Sequence, residues 1–478
     1  MNDDFPSQAS RTTLPKYAAA NSEQRLLEGH FNIQPSMDWL QHAMGYFFKN
    51  FVYTPSPDGL GYLQFLPDLL STQPNNMCLR DSLNAVAMTS LANVSGTSIL
   101  HFKADQLYSI ALRSMGTALR ACSDEDDAAL LAAVFLIQKR EALSGNVNAM
   151  KPHETGLVQL LRARAPRKPQ SKPEAGLLWT IHARLQVRSM DGGKSCADGL
   201  DALDLANGPQ RPLQSGLNHI YSNVSKFCRD MKRLAKLNAD GLYSSSSLIE
   251  LTRALDMAFE TERELAAWPS TLPPEQIPRP VQLVSDEISP ELRFISKLYT
   301  FPEIQDGCRW SVYWTSRIQL LGAINDGLDL VSGTGKRYNS PLSQEAINLG
   351  MQSAADSICS AVPFMIGEVD PEGCPLVGQR GQALGAYFAT RFIHIVNEVP
   401  FLPEQQRLWT LDCLLKLGQP RHLALAHEGV MEEKQSSSSE GNNPSALNEK
   451  GNTQVRRAHR NADQVSKAGD WLTAVTAS

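Results

Sequence analysis

Apolar side chains in this chain return at steps of three and four residues through most of its length. Runs that alternate at every second residue are almost absent. A step of three or four is the period of one helix face, whereas a half-buried strand needs a step of two. Hairpin turn pairs are equally scarce, so the expected fold is all-α, a single large multi-helical domain with no sheet.

The pattern divides the chain into a polar leader over 1–35, a helical body over 36–428 and a polar tail over 429–478. Leader and tail, the latter with Ser436 to Ser439 and Gly441 to Pro444, have the composition of disordered segments. The body opens with Trp39, Leu40, Ala43, Met44, Phe47, Phe48 and Phe51 on one helix face, ended by Pro55 to Gly59. Leu79 to Leu91 and Leu107 to Leu119 suit two further faces. A third helix opens at Ser123, an N-cap, with Asp124, Glu125, Asp126 and Asp127 at the positive end of its dipole. Capping explains those four acids better than metal binding does. Loops are expected over Ala165 to Pro173 and Arg188 to Pro212, and a proline loop over Pro269 to Pro280. Helical pattern returns after Ser289 through Leu292, Ile295, Leu298, Trp310 and Ile324. It continues over Ser343 to Val362, Gln382 to Val399 and Glu404 to Leu417, with Gly418 as the stop.

The most amphipathic stretch carries Leu217, Ile220, Val224, Phe227, Met231 and Leu234 as a heptad-like seam, able to pack on a neighbouring helix or on a second subunit. Its opposite face carries Lys226, Arg229, Arg233 and Lys236. A solvated outer face is the ordinary reading of such charges, and weak nucleic-acid contact is the functional one.

Charge and cysteine usage narrow the function classes. Lys and Arg number 45 against 50 Asp and Glu, a net charge of -5, which is not the balance of a strongly basic nucleic-acid binder. Met1-Asn2-Asp3-Asp4 starts neither a basic nor an apolar run, so no secretory signal is read. The longest apolar run, Ala128 to Ile137, is short of the roughly 20 residues that span a bilayer. The eight cysteines are scattered without a Cys-x-x-Cys pair and read as reduced core thiols. The sequons at Asn93 and Asn223 then carry little weight.

Motifs for catalysis fail one by one. Gly193-Lys194-Ser195 ends like a phosphate loop, but Arg188 stands where the leading glycine belongs. Gly335-Lys336 has Leu330 before it and Arg337 after it. His153-Glu154 begins a zinc-protease helix, but Leu157 replaces the second His. No Gly-x-Ser-x-Gly elbow occurs. His182, His219 and His394 lie in helical stretches as packed or solvated side chains. No catalytic, cofactor or metal residue is assigned, and no enzyme is expected.

Five segments together resemble the fungal-specific regulatory domain found downstream of Zn2Cys6 binuclear clusters in transcription factors. They are His153 to Leu157 with Leu160 to Pro166, Glu264 to Pro273 around Trp268, and Trp310 to Arg317. The other two are Ala355 to Gly367, with its Asp-Ser-Ile-Cys-Ser-Ala-Val-Pro-Phe core, and Arg407 to Gly418. The likeness runs from about Phe47 to about Ala426. It departs from the family at Ala165, which stands in place of a glycine. It departs also at the head: the first cysteine is Cys78, so the basic six-cysteine DNA-reading module is not expected here.

The resemblance implies a transcription regulator or co-regulator in the nucleus, of the kind that serves a specialised-metabolite gene cluster. It would act through its helical body and through protein partners, a DNA-binding regulator or a second copy of itself, with a small-molecule effector as a further partner. Arg456, Arg457 and Arg460 would serve nuclear import. The competing reading is a cytoplasmic helical binding or scaffold protein; a pathway enzyme ranks last.

Overall fold

The computed structural model of the chain describes residues 38–53, 61–121, 127–164, 169–190, 212–282, 297–376 and 383–421. The leader and tail, Pro55 to Gly59, the cap at Ser123 with Asp124 to Asp126, and Arg456, Arg457 and Arg460 lie outside these residues.

The described chain is mostly helical, with thirteen α-helices. They are α1 Trp39–Phe51, α2 Leu66–Thr72, α3 Met77–Ser95, α4 Ser98–Ala121, α5 Asp127–Leu143, α6 Val147–Ala163 and α7 Lys172–Met190. After these come α8 Pro212–Ala239, α9 Ser245–Ala267, α10 Ile304–Gly333, α11 Gln344–Met365, α12 Ala383–Asn397 and α13 Glu404–Arg421. Local chemistry sets several of the starts. Asp38 Oδ1 accepts from the amides of Leu40 and Gln41 at 3.0 and 3.3 Å, and Asn76 Oδ1 accepts from Leu79 N at 3.0 Å. Ser244 and Ser247 form a reciprocal capping pair at the head of α9.

The expectation of no sheet is corrected on one point. β1 Arg279–Gln282 pairs antiparallel with β2 Lys297–Thr300, Pro280 facing Tyr299 and Val281 facing Leu298. Four residues are too few for alternation to stand out from one turn of a helix, and Leu298, placed in a helical pattern by sequence, is a buried strand residue. Gly418 does not stop α13, which runs on to Arg421. Gly418 is not among the glycines with positive φ, the conformation a glycine stop requires. The ends of two expected loops are helical instead: Lys172 and Pro173 open α7 and Arg188 to Met190 close it, while 165–168 and 191–211 lie outside the described residues.

Buried apolar side chains from Ala43 to Leu417 make one contiguous core. In the first part of the chain α3 packs on α1, α4 and α5, and α5 packs on α3, α4, α6 and α7. In the second, α10 packs on α8, α9, α11 and α12. The two parts meet where α8 lies on α7, α1 on α12, and α13 on α3. At Gly385 an added Cβ would fall 1.7 Å from the carbonyl oxygen of Met365, so only glycine lets α12 lie this close to the end of α11. That close approach positions Tyr387, two residues on, beside α5.

Candidate functional site

α5 is apolar on every side from Ala129 to Ile137, which suits a helix enclosed by α3, α4, α6 and α7. It then continues, still buried, through Gln138, Lys139, Arg140 and Glu141. Four successive residues on a helix point in four directions about 100° apart. Each therefore needs its own partner, because a buried polar group without one is costly.

Gln138 Nε2 donates to Glu154 Oε2 of α6 at 3.3 Å, and Glu154 also accepts from Arg188 Nε of α7 at 3.2 Å. Arg140 pairs with Asp105 of α4 at 2.5 Å and with Glu141 at 3.3 Å, and its guanidinium lies 4.1 Å from the ring centre of Tyr108. Tyr108 Oη meets His153 Nε2 at 3.5 Å. Burial, aided by the charge of Arg140, lowers the His153 pKa to about 4.

Lys139 has no carboxylate among its recorded contacts. Its Nζ stands 3.8 Å from the ring centre of Tyr387 and 4.9 Å from those of Phe51 and Tyr62. It donates one hydrogen bond, to Tyr62 Oη at 3.2 Å. The amine thus sits in a box of three aromatic rings carried by α1, the segment before α2, and α12. Burial, with the charge of Arg184 on α7 as a second cause, holds its pKa well below the usual lysine value. The Tyr62 hydroxyl is pushed the other way, upward, chiefly by burial and by Tyr387. Burial thus favours the uncharged form of both the amine and the phenol in contact with it. Phe51 is buried, whereas Tyr62, Tyr387 and Phe388, the last edge-on to Tyr62 at 5.2 Å, are only half-buried. The outer walls of the box therefore reach solvent.

The seam residues Leu217, Ile220, Val224, Phe227, Met231 and Leu234 are all buried against the chain's own helices α7, α9 and α10. Of the two alternatives for the seam, a neighbouring helix or a second subunit, the described chain places neighbouring helices against it. The charged face of α8 is mixed rather than basic. Arg233 pairs with Glu250 and lies near Asp230, and Arg229 donates to Ser225 Oγ at 2.7 Å, which leaves Lys226 and Lys236 as exposed cations. His182 and His394 are half-buried and His219 is exposed. Among the described residues no group of three or more His, Cys, Asp or Glu side chains could hold a metal ion, and no helix is long and apolar enough to cross a membrane.

Two of the segments singled out by resemblance touch directly, the second and the third. Trp268 packs in tilted contact, ring centres 5.1 Å apart, against both Trp310 and Tyr313, and Arg317 reaches Glu262 at 2.6 Å. Gln406, one residue ahead of the last segment, donates to Asp356 Oδ1 at 3.1 Å and to Cys359 Sγ at 3.4 Å in the fourth. The Lys139 box was missed by sequence reasoning. Its one signal was four polar residues continuing an all-apolar helical run. No family model, no curated protein and no solved structure matches the chain.

Proposed function

We propose that the chain is a transcription regulator or co-regulator, non-enzymatic, working in the nucleus through a single helical regulatory domain of the fungal transcription-factor type and through protein partners. What supports the reading is the set of five resembling segments. The second and third touch through Trp268 on Trp310 and Tyr313, and Gln406, just ahead of the fifth, bonds to Asp356 and Cys359 of the fourth. A role in one specialised-metabolite gene cluster is part of the same proposal.

The mixed charge on α8 favours partner-mediated over direct DNA contact, since Glu250 and Asp230 share the surface with Arg233. The test is disruption of the gene in the organism that encodes it, with transcript profiling and localisation of a fluorescent fusion. Loss of a small, linked set of transcripts and a nuclear signal are expected. Unchanged transcripts would overturn the proposal in favour of a cytoplasmic scaffold.

A further inference from the structure

We propose that Lys139 is a covalent binding site for a small aromatic or conjugated aldehyde, held as an imine inside the box of Phe51, Tyr62 and Tyr387. This goes beyond the regulator reading and does not depend on it. Three observations carry it. The amine is enclosed by ring faces, and among the described residues no carboxylate pairs with it, so no salt bridge holds it as the ammonium. Its hydrogen-bond partner is the Tyr62 hydroxyl at 3.2 Å, a group placed to pass a proton to or from the amine. The half-buried rings of Tyr62 and Tyr387 form the outer walls, so turning one of them opens a path from solvent to Nζ.

Each part of the box has a task in the reaction. The Nζ lone pair attacks the carbonyl carbon, and one amine proton passes to the carbonyl oxygen to give a carbinolamine. The C–O bond then breaks. The hydroxyl leaves as water with the second amine proton, relayed through Tyr62 Oη, and a neutral C=N bond remains. No electrons are gained or lost overall. Burial favours the uncharged amine that the first step needs, and Arg184 on α7 disfavours a second cation beside it. The flat faces of Tyr387 and Phe51 suit a planar ligand, which is why an aromatic aldehyde is assigned over an aliphatic one.

The experiment uses the full-length protein with benzaldehyde as the probe and cyanoborohydride to reduce any imine to a stable amine. Adducts are located by peptide mass spectrometry. At neutral pH Lys139 should carry at least about tenfold more label than exposed Lys226 and Lys236, because most of an ordinary lysine is protonated there. Lys139→Met should abolish that adduct. Tyr62→Phe should slow it about a hundredfold with the labels on Lys226 and Lys236 unchanged, the low end of a general-acid contribution. Circular dichroism of both variants checks that they fold. Label confined to exposed lysines with Lys139 unmodified would overturn the proposal. Equal labelling of Lys139 in native and urea-unfolded protein would overturn it as well, since the box would then contribute nothing.

Discussion

Lys139 occupies a place in the core that a methionine would fill without a polar atom. Replacing a buried ionisable group by an apolar one of similar volume is often neutral or stabilising. Among the described residues the change removes one hydrogen bond, to Tyr62, a cost of roughly 1 kcal/mol set against that gain. Lys139→Met is therefore expected to raise stability at neutral pH by about 1–2 kcal/mol in urea melts. The pH dependence follows from the sign of the shift. The folded chain disfavours a proton that the unfolded chain binds, so wild-type stability rises with pH on the approach to the usual lysine value of 10.5, and Lys139→Met flattens that rise. The groups facing the amine in that window are Arg184, Tyr62 and Tyr387. The raised Tyr62 keeps its proton when folded, so it lowers stability only above about pH 10. His153 acts in the acid range. Its pKa falls from 6.5 to about 4 beside Arg140, so stability is lost as pH drops between those values, on the order of 2–3 kcal/mol for this residue. His153→Gln should remove that part of the loss, read as the difference between wild-type and variant melts at pH 7 and pH 4. If both proteins lost the same stability, His153 would not be the titrating group. Neither residue could be ranked from sequence. His153 resembled a broken zinc motif, and Lys139 was one charge among four. Their character comes from rings and charges supplied by segments far away in the chain.

At the scale of elements, amphipathic helices were legible and special contacts were not. The three-and-four spacing of Leu217 to Leu234 located α8 correctly, but spacing alone does not say what covers an apolar face. The covering helices proved to be α7, α9 and α10 of the same chain. Phe227→Glu is thus expected to destabilise the fold by more than about 4 kcal/mol through a buried unpaired charge. A well-folded variant with altered oligomeric state in light scattering would instead return the seam to the surface. β1 and β2 escaped notice because each is four residues long and one contains Pro280. The clamp between α9 and α10 makes a separate prediction. Arg317 donates from Nε and Nη2 to Glu262 Oε1 at 3.2 and 2.6 Å, and Glu262 Oε2 is buried without a partner. Desolvation pushes the Glu262 pKa up in spite of Arg317, so the carboxylate depends on that cation. Arg317→Met should cost about 2–4 kcal/mol, reduced from the fully buried figure because Arg317 is partly exposed. Adding Glu262→Met should recover most of it. A double-mutant cycle with no coupling would show that the pair contributes nothing.

The whole molecule is held by contacts between its sequence-distant ends. α1 lies on α12, α13 lies on α3, and Gln406 at the start of α13 bonds to Asp356 of α11 and, through a 2.7 Å contact, to Gln352. Trp409, Cys413, Leu414 and Leu417 bury the inner face of α13. A chain of this length commonly unfolds in stages, because separate cores melt separately. Here the apolar residues of α3 and α5 belong to the same cluster as those of α10 and α11, with α7, α8 and α12 filling the junction. Opening one part exposes the apolar face of the other, so the two are expected to lose structure together. Hydrogen exchange in increasing urea should show peptides of α3 and α10 losing protection at the same denaturant concentration. Truncation before Glu404 should lower that concentration for both, since it uncovers the face of α3 as well as that of α12. If α1 to α6 melted while α8 to α12 stayed protected, the contiguous core would divide at the α7–α8 junction, and the chain would be two cooperative units rather than one.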